Sequence, residues 1–353
     1  MQSLALFVVL PPGTAWRQEI VMDEPPSTND GMFVETEAFK ALEFYVRNYT
    51  ALTFVGLGSE NRGIVLGSKP FVCRYCRGKP PEKTFKKTAH AVSQLLGNRI
   101  LVSLYECDDC NKRFGGFEDD LGKMTLPMRA IGGVIGKNGI PKIPLASRSG
   151  MRKPTLEHKD GNLNFSHDAG DDVGLVDDPV NKTLTLTYNE QRYRPLAAYK
   201  ALCKSAFALL PDDELMNFEE LRQWLLQADV TTGMVYGRNS YILHKTFVPA
   251  HKPFKQPVVC LLRRNSQIDA PYISFFIAFG NVSYQIFLPC PSKDAHLTGK
   301  TITTLAYPHF FQLKPWLIPA PTVARTENLG SPDQTANRLG RLGWRYDQKI
   351  KVS

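Results

Sequence analysis

Long apolar runs are absent. The richest stretch, residues 272–280, breaks after a few positions, far short of the ~18 consecutive apolar residues that a bilayer-spanning helix needs. No membrane contact is therefore expected. Residues 4–10 are apolar, but no basic leader precedes them and Pro11-Pro12 ends them, so a cytoplasmic location is expected rather than export. Histidine is also scarce, 7 in 353 residues, and all but His90 sit at spacings that suit no metal site. Internal repeats are missing, which excludes solenoids and arrays.

What is present is an ordinary globular composition, 43% hydrophobic, with 43 Lys and Arg against 34 Asp and Glu for a formal charge of +9. Global disorder is excluded, and a chain of this length holds about two domains of ~100–200 residues. The basic balance favours polyanionic partners.

The pattern predicts an α+β protein. Residues 1–35 read as a loosely ordered arm containing Pro25-Pro26-Ser27-Thr28. Residues 36–70 begin with an amphipathic helix, Phe39, Leu42, Tyr45 and Val46 recurring at helical spacing, and are expected to pack on the module that follows. That module, 71–131, carries paired cysteines, and 132–181 has the composition of a linker or insertion. A mixed α+β C-terminal domain is expected over 182–320. It holds a strand through Leu184, Leu186 and Tyr188, a helix opened by Pro195 and ended by Pro211, and strands that meet in a turn at Gly280-Asn281. The aromatic run Tyr272 to Phe279 reads as buried sheet core, and residues 321–353 as a basic flexible tail.

Four of the seven cysteines form two CxxC pairs, Cys73/Cys76 and Cys107/Cys110, while Cys203, Cys260 and Cys290 fall in apolar surroundings and read as core. Thiolates at CxxC spacing reach one ion from a tight turn, and two such turns complete the four-sulfur shell that structural Zn²⁺ prefers. The interval between the pairs reads as strand, polar turn, strand: Thr84 to Val92, then Leu96-Gly97-Asn98, then Ile100 to Tyr105. Asn111 directly follows the second pair, and Phe114, Phe117 and Leu121 then recur at near-helical spacing, so a helix starts at the second knuckle.

A hairpin and a helix around a zinc, with Ala89-His90 on the first strand, Leu96-Gly97-Asn98 in the loop, Cys107xxCys110-Asn111 at the helix start and Phe114-Gly115 followed by Glu118-Asp119-Asp120, resembles the HNH, or ββα-metal, nuclease family. The likeness covers about sixty of 353 residues. It implies a metal-dependent endonuclease hydrolysing phosphodiester bonds of DNA, with RNA left open, and a bacterial defence or mobile-element role.

A phosphodiester repels nucleophiles, so its hydrolysis needs a base for water and a cation for the transition state. His90, the lone histidine of the module, is the candidate general base, and the resemblance gives Asn111 the task of orienting it. Seven residues beyond Asn111 a helix returns to within ~20°, which makes Glu118 the preferred ligand of a catalytic Mg²⁺ or Mn²⁺, with Asp119 or Asp120 replacing it should Gly115-Gly116 break the helix. Ala89 stands where many family members carry an acidic ligand. Asn98 reads as turn chemistry. Lys86, Lys87, Arg99, Lys112 and Arg113 are the candidate phosphate contacts. The alternative reading is a catalytically inactive zinc module that binds nucleic acid or a protein, and a regulatory partner or ligand at the C-terminal domain and a homodimer are both open.

Overall fold

The computed structural model describes residues 28–56, 63–145, 155–159, 162–166, 174–230, 240–248, 253–302, 304–309 and 322–345. Most of the expected N-terminal arm, parts of 146–173 and the last eight residues lie outside them.

The chain opens with helix α1 (Thr28–Asn48), which runs directly into strand β1 (Tyr49–Val55). The cysteine-bearing module supplies three short strands, β2 (Ile64–Leu66), β3 (Ala89–His90) and β4 (Leu101–Ser103), and then the long helix α2 (Asp108–Ile131). Four more strands follow: β5 (Ile143–Pro144), β6 (Thr155–Lys159), β7 (Asn162–Ser166) and β8 (Leu175–Asp178). Strand β9 (Thr183–Asn189) leads to helices α3 (Pro195–Ala208) and α4 (Glu219–Leu226). The last part contains β10 (Ile242–Phe247), β11 (Phe254–Arg264), β12 (Ile273–Gly280), β13 (Val282–Leu288), a one-turn α5 (Pro291–Asp294), β14 (Val323–Asn328) and β15 (Leu339–Arg345).

The core is an antiparallel six-stranded sheet in the order β1-β11-β12-β13-β10-β14. Side chains alternate along β11 and β12, and here both faces are covered. Val259, Leu261, Phe275 and Ile277 join the main core with α2 and α3, while Val258, Cys260, Phe276 and Ala278 pack with Tyr45 and Tyr49. The expected turn is present: Asn281 alone separates β12 from β13, and Gly280 takes φ +53°, a left-handed value that favours glycine. Residues 272–279 are sheet core, and Cys203, Cys260 and Cys290 are buried.

Three expectations about chain organisation need correction. The segment 36–70 is split, since β1 pairs with β11 of the large sheet and only β2 joins the module, parallel to β4. Residues 132–181 are no plain linker: β5, β6 and β7 form one small sheet, and β8 joins β9 in another. The tail is not free over 323–345, because β14 closes the edge of the large sheet against β10 and β15 pairs with β9. These strands are short or polar, and β14 and β15 gain their hydrogen bonds from partners remote in sequence, so local periodicity carries little sign of them. Thr28 also already lies in a helix rather than in the expected arm.

Helix α3 is buried on every side, including Lys200 and Lys204. It packs against α2, α4 and β13. Its position between module and sheet makes the two parts share one core.

Strand β15 depends on a close approach. A Cβ at Gly340 would lie 2.2 Å from Cζ and 2.4 Å from Oη of the buried Tyr188 ring. Gly340→Ala is therefore expected to destabilise the protein by about 1–3 kcal/mol through overpacking. Urea unfolding measures this, and an unchanged midpoint would refute the packing of β15 on β9.

Candidate metal centre and adjoining cavity

The four paired cysteines converge. Their Sγ atoms all lie within 4.8 Å of one another, with Cys76 and Cys107 at 3.7 Å. Four sulfurs on a zinc at ~2.3 Å stand roughly 3.8 Å apart, so the set fits a tetrahedral ion such as Zn²⁺. Local geometry builds each half. The first knuckle is a tight turn in which Arg77 N–H donates to the Cys73 carbonyl at 2.8 Å and Cys73 N–H to the Gly78 carbonyl at 3.0 Å. Arg77 takes φ +62°, and a Cβ at Gly78 would fall 2.4 Å from Lys83 Cγ. The second knuckle is the start of α2: Cys107 is its N-cap and Cys110 lies in its first turn.

Asp108, in that same turn, ties the preceding loop to the helix. Its carboxylate accepts from Thr84 Oγ1 at 2.5 Å and from the backbone N–H groups of Lys86 at 3.1 Å and Lys87 at 2.8 Å. The Thr84 hydroxyl and these amides hold it below the usual carboxylate range. The loop then enters β3, where His90 pairs with Val102 of β4. Asn98 closes the hairpin from inside. It is fully buried, donates to the Val92 and Leu101 carbonyls at 2.6 and 3.0 Å, and accepts from Ile100 and Leu101 N–H at 3.2 and 2.9 Å. The expected turn role of Asn98 is what these bonds describe.

Beside the hairpin, an open cavity of about 810 Å³ gathers the candidate residues. Helix α2 runs unbroken through Gly115-Gly116 and presents two neighbouring stripes. Cys110, Phe114, Phe117 and Leu121 are buried in the core. Asn111, Gly115, Glu118 and Gly122, each one residue further on and so ~100° round the helix, line the cavity. His90 lines it from β3. Its Nδ1 is buried and has no hydrogen-bond partner among the described residues. Burial, and after it the nearby Lys204 ammonium, hold the imidazole below its ordinary value, so the ring is neutral at pH 7.

Glu118 accepts from Ser93 Oγ at 2.7 Å through one oxygen and faces Lys204 Nζ at 3.3 Å through the other. Asp119 also reaches the cavity and pairs with Lys123 at 2.5 Å. Asp120 does not. Two residues beyond Glu118 it turns ~200° away, is buried, and binds Arg194 through that residue's N–H at 2.9 Å and its guanidinium at 2.7 and 3.0 Å. As a candidate metal ligand Asp120 is therefore displaced into a structural ion pair.

The candidate phosphate contacts divide too. Lys87 lines the cavity. Lys86 and Lys112 are exposed away from its lining, Arg99 donates to the Ile135 and Gly136 carbonyls at 3.3 and 2.8 Å, and Arg113 binds the Leu226 carbonyl. In their place the fold brings Lys123, Arg129, Lys137 and Lys204. Together the walls carry five basic side chains against two carboxylates, a field that attracts anions.

Lys204 was not legible in the sequence. Its Nζ donates to the His90 carbonyl at 2.9 Å and lies 3.1 Å from Glu106 and 3.3 Å from Glu118, with the side chain only 2% exposed. Burial pushes Glu106 up to about 7 and Lys204 pulls it back, while the two carboxylates raise Lys204. The available signal was the pair of lysines, four residues apart, inside an otherwise apolar helix.

Among the described residues the four cysteines are the one cluster of three or more His, Cys, Asp and Glu that could hold a metal, and no described helix is long and apolar enough to cross a membrane. No protein-family model, curated protein or solved structure matches the chain.

Two outcomes follow from this geometry. The purified protein is expected to hold one zinc per chain, and Cys107→Ser to lose it together with the fold of residues 71–131; total-metal analysis with circular dichroism measures both, and a metal-free wild type with an intact spectrum would refute the site. Lys204→Met leaves Glu106 and Glu118 without their cation and is expected to cost about 3–5 kcal/mol in urea unfolding. Adding Glu106→Gln should recover part of that loss.

Proposed function

We propose that this chain is a metal-dependent HNH-type endonuclease that hydrolyses phosphodiester bonds of DNA, with Zn²⁺ on Cys73, Cys76, Cys107 and Cys110 as a structural ion. The observation that carries the reading is the convergence of His90, Asn111 and Glu118 in one basic cavity, at the spacing the HNH likeness calls for. A metal-stapled hairpin followed by a helix is also the order of elements in that family.

In this reading a phosphodiester enters the cavity drawn by Lys87, Lys123 and Lys137. The neutral His90 ring removes a proton from water as the water oxygen bonds to phosphorus, and the bond from phosphorus to the departing sugar oxygen breaks. A neutral imidazole has one nitrogen with a free lone pair, and with Nδ1 buried it is Nε2 that would take the proton. Asn111, one helical turn before Gly115, orients water or phosphate by its amide. The glycines leave the α2 surface open, since a Cβ at Gly115 would meet nothing within 4 Å, so a polymer backbone can approach closely.

The donors at this cavity, the Glu118 and Asp119 carboxylates and the Asn111 amide, suit a divalent ion that keeps most of its water, as Mg²⁺ does. When bound, such an ion supplies positive charge to the phosphoryl and departing oxygens. One observation favours the alternative, a zinc module that binds without cutting: Glu118 is already engaged by Lys204 and Ser93.

Nicking of supercoiled plasmid across a divalent-ion panel separates the two. The wild type is expected to cut with Mg²⁺ or Mn²⁺, and His90→Ala to lose roughly 10²–10⁴-fold in rate. Cutting by His90→Ala at the wild-type rate would remove His90 from the mechanism, and inactivity with every ion would leave the binding module. Because the base form is the neutral ring, activity should rise with pH through a midpoint below 6.5, the ordinary imidazole value being displaced downward by burial and Lys204. A midpoint above 6.5 would contradict that environment.

A further inference from the structure

The cavity that holds His90 does not stand alone. A second one, about 900 Å³, adjoins it, and the two share Lys123 and Gln191 in their walls. Its far side is made by strands that the C-terminal segment contributes, β14 and β15, together with β10. Five basic residues line it, Lys123, Lys245, Arg325, Arg338 and Arg341, against Glu190, Glu327 and Asp333.

The basic groups are not alike. Lys123 pairs with Asp119, and Lys245 lies 3.8 Å from Glu327. Arg325, Arg338 and Arg341 are exposed and make no ion pair among the described residues. Edge strands commonly carry charge to deter pairing with other chains, which accounts for basic residues on β14 and β15. It does not account for three arginines without an ion pair among the described residues that line one concavity beside a second basic cavity.

We propose that this second cavity is a DNA-binding groove that holds the strand flanking the bond to be cut, with Arg325, Arg338 and Arg341 contacting its phosphates. The inference rests on the nuclease reading for the identity of the polyanion. Its own support is the shared wall at Lys123 and Gln191 and the convergence of unpaired arginines. Consecutive phosphates along a strand repeat at several ångströms, so arginines contributed by two different strands suit a polymer better than a single phosphate ion. It also gives the C-terminal strands a role: they carry the track along which substrate leaves the first cavity.

The test is fluorescence anisotropy of a labelled 30-base-pair DNA on the full-length protein in the His90→Ala background, so that cleavage is not involved. Arg338→Gln/Arg341→Gln is the variant, with unfolding midpoints confirming that β15 remains paired. Each lost phosphate contact lowers the slope of log Kd against log salt by about one, so a reduction near two and a weakening of about tenfold or more at 0.1 M salt are expected. In the His90-intact protein the same pair should slow cleavage of long DNA.

An unaltered slope and affinity would overturn the groove while leaving the nuclease reading in place. DNA binding that falls with these substitutions in a protein that cuts nothing would uphold the groove and defeat the nuclease reading. Absence of DNA binding by the parent protein, or binding of RNA alone, would overturn the assignment.

Discussion

The ammonium of Lys204 is the point at which the separate parts of this protein meet. It leaves a fully buried helix and is received by a backbone carbonyl on β3, by Glu106 before α2 and by Glu118 on α2. Taking charge from water is expensive: burial pushes the Glu106 carboxyl up to about 7, and Lys204, held between it and Glu118, pulls it back. A buried junction of this kind specifies one relative placement of hairpin, helix and C-terminal domain, where apolar packing alone would tolerate several. It also sets the electrostatics of the neighbouring imidazole, which is one reason His90 is neutral near pH 7.

The cavity beside that junction combines two properties that seldom occur together. Its walls carry an excess of positive charge, yet its one imidazole is uncharged and keeps a buried ring nitrogen without a partner among the described residues. The glycines of α2 remove side-chain bulk on the face that looks into it. In the proposed reading an anionic polymer would use all three features: charge for attraction, an open backbone surface for close approach, and a neutral imidazole at the point of contact.

Much of the module was legible because its signals are local. CxxC spacing places two sulfurs on one turn whatever the rest of the fold does, and the helical period of Phe114, Phe117 and Leu121 put Glu118 on the face of Asn111. Pro195 at the start of α3 and Gly280-Asn281 between β12 and β13 are likewise chemical punctuation that acts within a few residues. The large sheet was legible only in its central strands, whose apolar content is high enough to announce burial. The strands within 132–181 and 323–345 were missed because their residues are polar or few. Asp120 was separable from Glu118 by helix geometry, but its partner Arg194 lies 74 residues away, and no local pattern points to it.

The amino-acid sequence by itself therefore determined the two cysteine pairs and the face of α2 that Asn111 and Glu118 share, because CxxC spacing and helical period enforce them, while the grouping with His90 came from the likeness to the HNH family. Only the tertiary structure decided which charges face the cavity. It sent Arg99 and Arg113 to carbonyls and Asp120 to Arg194, and brought in Lys204 from α3 and the arginines of β14 and β15 from the end of the chain. Long side chains go where the packing of remote elements leaves a partner or an opening, and that is a property of the assembled core rather than of any stretch of sequence.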